Sequence, residues 1–377
     1  MKKILSIIGT RPEVIKMAPV IMELSRYPGE FTSIVCVSGQ HRAMLDQALD
    51  FFGITPDYDL NLMKPDQTLA DLTGNLFIAL GKLVQKVKPD WILAQGDTST
   101  TFVASLIAYY HQIPFGHVEA GLRTNDIFNP FPEEMNRRVA DIVATAFFAP
   151  TKRAYTALLK EGVPKEQIFI TGNTVVDALL DMAYRPYDWQ HSSLSILPTD
   201  KRLVLLTAHR RESFGLPFRN LCEAIRELAV LFMKDVHFVY PVHLNPNVQK
   251  PVCQILGGIE NVHLLEPLDY LSLVQLMKRT YLIITDSGGI QEEAPTFGIP
   301  VLVLREKTER PEGVDSGIVR LVGTDKDKII DSVVHLLKDH STYNEMAQGF
   351  NPYGDGKAAL RIVKILREHS ALCRMNR

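Results

Sequence analysis

The stretches of this sequence most open to a chemical reading mostly follow directly on short apolar runs. TDSGGIQEEAP (285–295) lies between the apolar runs YLII and IPVLVL, and it carries two adjacent glycines and then two adjacent carboxylates. Backbone N–H groups opening a helix at Ser287, Gly288 and Gly289 would cradle a phosphate. Glu292 and Glu293 as a pair would suit acid–base work. A capped helix with acids in its first turn accounts for the same pattern. From local pattern alone, all three readings stand.

Five further stretches carry such residues, four of them directly after a predicted strand and NPFPEEMNRR at a helix start. In GTRPEVIK, Gly9 permits a tight turn and Pro12 suits the first helical position. Arg11 is thereby placed where it could meet a phosphate or a base, unless Pro12 and Glu13 merely start a helix. GDTSTT sets Asp97, Thr98, Ser99, Thr100 and Thr101 at one helix start, although a single cap needs one such residue. EAGLRT puts Glu119 at a strand end beside apolar neighbours, where a carboxylate is rarely found without a reason. NPFPEEMNRR places Glu133 and Glu134 in a first turn, four residues ahead of Arg137 and Arg138. That spacing favours a structural reading as dipole acids and ion pairs. HRRESFG joins His209 to Arg210 and Arg211, a titratable group with fixed positive charge suited to a diphosphate leaving group. His243, in YPVHLNPNV, stands alone, and a lone His is more often a hydrogen-bonded structural residue.

Several function classes are disfavoured. Neither GxGxxG after a strand nor GxxxxGK[ST] occurs, so neither a nicotinamide cofactor nor the P-loop class is indicated. Cys36, Cys222, Cys253 and Cys373 form no CxxC pair, and no His cluster has zinc-ligand spacing. They read as buried, reduced thiols of a cytoplasmic protein, with no metal site. DYD (57–59) and DKD (325–327) read as loop acids. Net charge is -2 and the pI is near 6.6, which argues against nucleic acid as a partner. No apolar run approaches the roughly 18 residues of a membrane span. MKKILSIIGTRPE reads as a first core strand rather than a signal peptide, because Gly9 to Pro12 interrupt it.

These residues need elements to position them. The predicted strands are 4–8, 33–37, 91–95, 114–118 and 146–150, then 202–208, 237–242, 262–266, 281–285 and 300–304. Helical periods fill the gaps at 69–87, 101–110, 133–145, 218–233, 270–278 and 327–338. Continuous Val/Ile/Leu strands separated by helices imply an α/β chain with doubly wound parallel sheets. With 377 residues and 46% apolar composition, two such domains fit better than one. The rhythm is weakest from about 172 to 200, which places the junction near 172–178. The expected domains are 1–172, joined by a C-terminal helix at 358–377, and 173–357. Ligands of such sheets bind at strand carboxyl ends, so a cleft between the domains is the expected site.

GTRPEVIKMAP, QHRAMLDQ, GDTSTT, GHVEAGLRT, PFPEEMNRR, ITGNTVVDAL, AHRRESFG, YPVHLNPNV, TDSGGIQEEAP, TERPEG and NPYGDG occur in this order from Gly9 to Gly356. Together they closely resemble the bacterial non-hydrolysing UDP-N-acetylglucosamine 2-epimerases. The resemblance implies two Rossmann-like domains facing a cleft, as in GT-B glycosyltransferases, a homodimer and no cofactor. It implies reversible inversion at C2 between UDP-N-acetylglucosamine and UDP-N-acetylmannosamine, supplying units for bacterial surface polysaccharide. UDP is eliminated to 2-acetamidoglucal and added back. By motif match, Asp97, Glu119, Glu133 and His209 are the catalytic candidates. Arg11, Lys16, Ser287, Gly288, Gly289, Glu293 and Arg310 would bind UDP, with Glu293 on the ribose and uracil near EPLDYLSL (266–273). On this reading Glu292 is left as a first-turn helix acid.

Some members of that family bind a second substrate molecule as an activator. Gln40, Glu133, Arg210 and His243 match that second-site pattern, whereas Ala43 replaces a Gln and Asp66 an Arg. Losing a cation near a diphosphate implies weaker or differently built activation. The nearest rival is the hydrolysing epimerase, in which His-Pro commonly replaces the His-Arg of AHRRE. A GT-B transferase would need an acceptor, and a nucleotide-sugar sensor would need no acid–base set.

Overall fold

A computed structural model of the chain describes residues 1–39, 42–63, 66–210 and 213–368. The chain divides into two compact units, Met1–Ala178 with Tyr353–Arg377, and Leu179–Pro352.

The first unit alternates strand and helix. It runs β1 (Lys2–Ile8), α1 (Arg11–Ser25), β2 (Phe31–Val37), α2 (Arg42–Phe52), β3 (Tyr58–Asp59), α3 (Leu69–Val87), β4 (Trp91–Gln95) and α4 (Ser99–Tyr110). It continues through β5 (Phe115–Val118), α5 (Glu133–Val143), β6 (Ala146–Ala149), α6 (Lys152–Lys160) and β7 (Ile168–Ile170), and α7 (Thr174–Tyr184) then crosses the unit boundary. Among the described residues its seven strands pair in parallel in the order β3-β2-β1-β4-β5-β6-β7. Ile4 faces Ser33 of β2 on one side and Trp91 of β4 on the other. Ile4, Leu5, Ile7, Ile8, Ile92 and Leu93 are fully buried, as strands covered on both faces must be.

The second unit repeats the plan with β8 (Arg202–Thr207), α8 (Leu216–Leu231), β9 (Val236–Pro241), α9 (Pro246–Leu256), β10 (Val262–Leu265), α10 (Tyr270–Arg279) and β11 (Thr280–Thr285). Then come α11 (Gly288–Glu293), β12 (Val301–Val303), α12 (Pro311–Asp315), β13 (Val319–Leu321), α13 (Lys326–Lys338) and α14 (His340–Ala347). Its strand order is β10-β9-β8-β11-β12-β13. The last helix, α15 (Ala358–Glu368), packs against α1 in the first unit. Asp177 accepts from the Ala358 and Ala359 N–H groups at its start, and Lys2 donates to the Leu366 carbonyl near its end.

Doubly wound sheets bind ligands where the strand order reverses. That point lies between β1 and β4 in the first sheet and between β8 and β11 in the second. The turns after these four strands contain GTRPE, GDTST, the pair His209–Arg210, and DSGGI.

Some sequence expectations are corrected. Tyr58 and Asp59 are an edge strand on β2, not a loop, and β7 and β13 are three-residue strands too short to show a period. Helix α7 forms inside the stretch of weakest rhythm. Cys36 and Cys222 are buried, and burial pushes both thiols up to about 12, but Cys253 is exposed; Cys373 lies outside the described residues.

Candidate active site

The switch point of the first sheet is held by a carboxylate that sequence reasoning passed over. Thr10 is extended, Pro12 follows in the first turn of α1, and Glu13 sits at the third helical position. Glu13 Oε2 accepts from the N–H groups of Gly9 (2.9 Å) and Thr10 (2.6 Å). Its Oε1 accepts from the hydroxyls of Thr98 (2.7 Å) and Thr101 (3.1 Å). One buried side chain thus ties the turn after β1 to the start of α4. Burial raises its pKa against the opposing hydroxyl and backbone donors. The signal was a Glu three residues after a Thr, which is the spacing of a capping box. The hydroxyl cluster of GDTSTT is likewise used: Thr98 caps α4, Thr100 meets Ser38 at 3.1 Å, and Thr101 also reaches the Gln95 carbonyl at 2.7 Å.

Asp97 follows Gly96 at the end of β4. Arg137 of α5 donates to Asp97 Oδ2 at 2.5 Å, and the Asn136 side chain donates to the Asp97 carbonyl at 2.9 Å. Glu119 follows β5 and is 8% exposed. Its φ of 68° is a left-handed conformation that a non-glycine residue adopts at a cost, and such strain gathers at functional sites. Lys16 of α1 donates to Glu119 Oε2 at 2.5 Å. Two carboxylates at neighbouring strand ends are therefore each met by a cation. Each pairing holds its carboxylate in one orientation.

Glu133 and Glu134 open α5. Glu134 is fully buried and binds Arg138 (2.9 Å), with Arg137 at 3.5 Å. It also accepts from the N–H groups of Thr124 and Asn125, which shapes the loop before α5. Burial alone would raise its pKa, but the Thr124 N–H and the two arginines hold it below the usual range. Glu133 is half-buried. Behind these residues lies His117, fully buried on β5, with Asp141 of α5 and the Gly96 carbonyl on its two ring nitrogens. Nothing in FGHV or in the helix 133–143 marks this pair in the sequence.

The second unit has a matching arrangement. Asp286, fully buried after β11, accepts from the N–H groups of His209 and Arg210 at 2.8 Å each, while Arg210 Nε donates to the Asp286 carbonyl. Asp286 thereby fixes the turn after β8, a role the neighbouring glycines hid. The His209 ring stacks on His243 with centroids 5.1 Å apart and planes 6° apart. Burial lowers the His209 pKa, and His243 and Arg210 add to this against the opposing pull of Asp286. Gly288 lies between two guanidiniums, since a Cβ there would stand 3.8 Å from Arg210 and 3.8 Å from Arg310. Ser287, Gly288 and Gly289 present the start of α11 to this pair of cations.

The sequence reading of Glu292 is corrected here. It sits in the last turn of the six-residue α11, 2% exposed, and binds Arg310 at 2.6 Å. Glu293 is buried at the end of α11. Arg11 opens α1, and Asp269 caps α10 within the segment expected near uracil. Asp66 is exposed with φ 54°. Gln40 and the side chain of Ala43 lie outside the described residues. Among the described residues, no group of three or more His, Cys, Asp or Glu could hold a metal ion, and no helix is long and apolar enough to cross a membrane.

The sequence matches the family model described as UDP-N-acetylglucosamine 2-epimerase over residues 22–367. It is 52% identical over 373 residues to the UDP-N-acetylglucosamine 2-epimerase of Yersinia pestis, covering 97% of this chain and 99% of that protein. With the enzyme of the same name from Bacillus subtilis it shares 50% identity, covering 97% of this chain and 95% of that protein. The crystal structure of UDP-GlcNAc 2-epimerase from Neisseria meningitidis bound to UDP-GlcNAc superposes with a TM-score of 0.88 at 46% identity, covering 97% of this chain and 99% of that one. Two doubly wound units, carboxylates at one switch point, cations at the other and these likenesses converge: the chain belongs to the UDP-N-acetylglucosamine 2-epimerase family.

Proposed function

We propose that this protein interconverts UDP-N-acetylglucosamine and UDP-N-acetylmannosamine without net hydrolysis. The C2 proton is not adjacent to a carbonyl, so its direct removal as an acid is too difficult. In the proposed course the C2–H and C1–O bonds break, a C1–C2 double bond forms, and UDP departs with the bonding electron pair. UDP then returns to C1 while a proton is delivered to the opposite face of C2. Two faces call for at least two acid–base groups. Asp97, Glu119 and Glu133 supply them, and His209 serves next to the diphosphate. Arg210, Arg310 and the Ser287–Gly289 helix start take up the charge of departing UDP. Glu293 holds the ribose, Arg11 and Lys16 complete the nucleotide contacts, and uracil lies against 266–273.

The observation that carries this reading is the pair of neighbouring strand-end carboxylates, each fixed by its own cation: Asp97 by Arg137 and Glu119 by Lys16. The Neisseria meningitidis relative bound to UDP-GlcNAc supports the substrate class. We also propose a homodimer. Ile78, Tyr109 and Tyr110, more than 60% exposed on α3 and α4, offer an apolar face for it.

Incubation with UDP-N-acetylglucosamine in deuterated water tests the mechanism. UDP-N-acetylmannosamine carrying deuterium at C2 is the expected product. Net release of UDP and free N-acetylmannosamine would establish the hydrolysing reaction instead, and unlabelled product would exclude proton exchange at C2.

A further inference from the structure

His117 and Asp141 form a buried pair that touches neither the first nor the last atom of any step above, yet borders both carboxylate turns. His117 is 0% exposed and Asp141 4%. His117 Nε2 lies 2.7 Å from the Gly96 carbonyl, and Nδ1 lies 2.6 Å from Asp141 Oδ1. A carbonyl only accepts, so Nε2 must carry a proton. A neutral ring would then offer Asp141 a lone pair, which an ionised carboxylate cannot use. The ring is therefore an imidazolium, or Asp141 holds the shared proton. Arg123, 2.7 Å from Asp141 Oδ2, favours the ionised carboxylate, and Arg123 is itself clamped by Glu161 through two hydrogen bonds. Burial disfavours the charged ring, but the charge and hydrogen bond of Asp141 and the Gly96 carbonyl outweigh it and raise the His117 pKa. Asp141 is correspondingly held low by His117 and Arg123 against its own burial.

What the pair touches decides its use. Gly96, with φ 76°, immediately precedes Asp97, and its N–H bonds the Val118 carbonyl at 3.0 Å. Asp141 Oδ2 also accepts from the Gly121 N–H at 3.3 Å, two residues after Glu119. Gly121, with φ 88°, has no room for a side chain, because a Cβ would lie 2.5 Å from the Ala154 carbonyl. We propose that His117 and Asp141 are positioning residues that lock the Gly96–Asp97 turn and the Glu119–Gly121 turn into one frame, so that the two acid–base carboxylates keep a fixed separation. The proposal rests on the epimerase reading for its kinetic consequence and on geometry alone for its structural one.

Three variants separate the bonds. His117→Asn puts an amide nitrogen near the former Nδ1, keeping Asp141 and losing Gly96. His117→Gln reaches the former Nε2, keeping Gly96 and losing Asp141. In Asp141→Asn the amide nitrogen can donate to Nδ1 of a neutral ring while the amide oxygen still accepts from the Gly121 N–H, so the bonds survive without the charge. The expected result for His117→Asn is a fall in kcat of tenfold or more, with KM and UDP binding within twofold of wild type. For Asp141→Asn, kcat should stay within about threefold of wild type, because a neutral ring still bonds on both sides; a loss as large as that of His117→Asn would count against the frame. A merely structural role predicts parallel losses of kcat, UDP binding and thermal stability in His117→Asn, and that finding overturns the proposal. Amide hydrogen exchange without substrate supplies the second arm. Residues 96–98 and 119–122 should exchange faster in His117→Asn and His117→Gln than in Asp141→Asn, with the second unit unchanged, and wild-type protection in both segments of all three would refute the locking. If the wild-type protein fails to turn over UDP-N-acetylglucosamine, the functional reading falls and the exchange result alone decides the frame.

Discussion

Gly9→Ala is the sharpest test of how the first switch point is packed. A Cβ built on Gly9 falls 2.3 Å from Thr100 Oγ1, 2.8 Å from Thr100 Cβ and 3.1 Å from Glu13 Oε2. Thr100 is fully buried in the first turn of α4 and bonded to Ser38, so it has nowhere to turn. Rotation about its χ1 would move Oγ1 but leave Cβ where it is. The turn after β1 must therefore back away from α4 by about 1 Å to reach ordinary van der Waals separation. Overpacking of this kind costs about 1–3 kcal/mol. The stiffer unfolded chain returns about 0.4–1 kcal/mol, because alanine has fewer conformations to lose than glycine. Net destabilisation of roughly 0–2.6 kcal/mol, with a midpoint of about 1.3, is expected from these two terms. The shift also drags the Gly9 and Thr10 N–H groups off Glu13, which holds the Asp97 turn through Thr98. A misplacement near 1 Å can lower kcat on the order of 100-fold. Denaturant unfolding and epimerase kinetics on Gly9→Ala, Thr100→Ala and the double variant would measure both effects. Thr100→Ala removes the 2.3 Å contact but not the 2.8 Å one, so it should rescue Gly9→Ala in part. Wild-type stability and turnover in Gly9→Ala, or strict additivity in the double variant, would refute the packing argument.

Three further outcomes are expected. Lys16→Gln should lower kcat by about ten- to a hundredfold, the worth of its ion-paired hydrogen bond to Glu119, and weaken UDP binding as well, because Lys16 also completes the nucleotide contacts; a loss of UDP affinity with kcat unchanged would remove it from the positioning of Glu119. Arg310→Ala should weaken UDP binding by about 10–100-fold, the worth of one charge-assisted hydrogen bond, as read by calorimetry; unchanged affinity would remove Arg310 from the diphosphate site. Two local pH dependences of opposite sense are expected, one at Asp177 and one at the His237–His263 pair. Asp177 is raised to about 6, first by burial, so its contribution is full below its unfolded value of 3.8 and lost as pH rises through about 6. His237 and His263, hydrogen-bonded to each other at 2.8 Å, are both lowered, first by burial. Their contribution is present above the unfolded value of 6.5 and lost as pH falls through the lowered pKa. Asp177→Asn should flatten the first dependence, and a His237→Gln/His263→Gln variant the second, in hydrogen-exchange stabilities of each unit measured from pH 4 to 8.

Local chemistry made much of this fold legible before any coordinates. Runs such as ILSII and VLLT must be buried on both faces, and the helices between them follow from periodicity, so two doubly wound sheets could be read directly. The turns that would carry chemistry were also marked, because Gly, Pro, Ser and Thr at strand ends announce a helix start. What stayed hidden were the partnerships. Lys16 and Glu119 are 103 positions apart, His209 and Asp286 77, and Asp97 and Arg137 40. No periodicity connects such residues, since only sheet pairing order brings their turns side by side. Burial then decides their state. Glu292 looked like a solvated first-turn acid until α11 proved too short to leave it in water, and His117 looked like part of an apolar strand until Asp141 and the Gly96 carbonyl closed on its ring. The sequence by itself determined which turns could carry the chemistry, because turn and cap preferences are local. Tertiary structure alone decided which side chains in those turns are held, charged and aimed, because that depends on neighbours from distant parts of the chain.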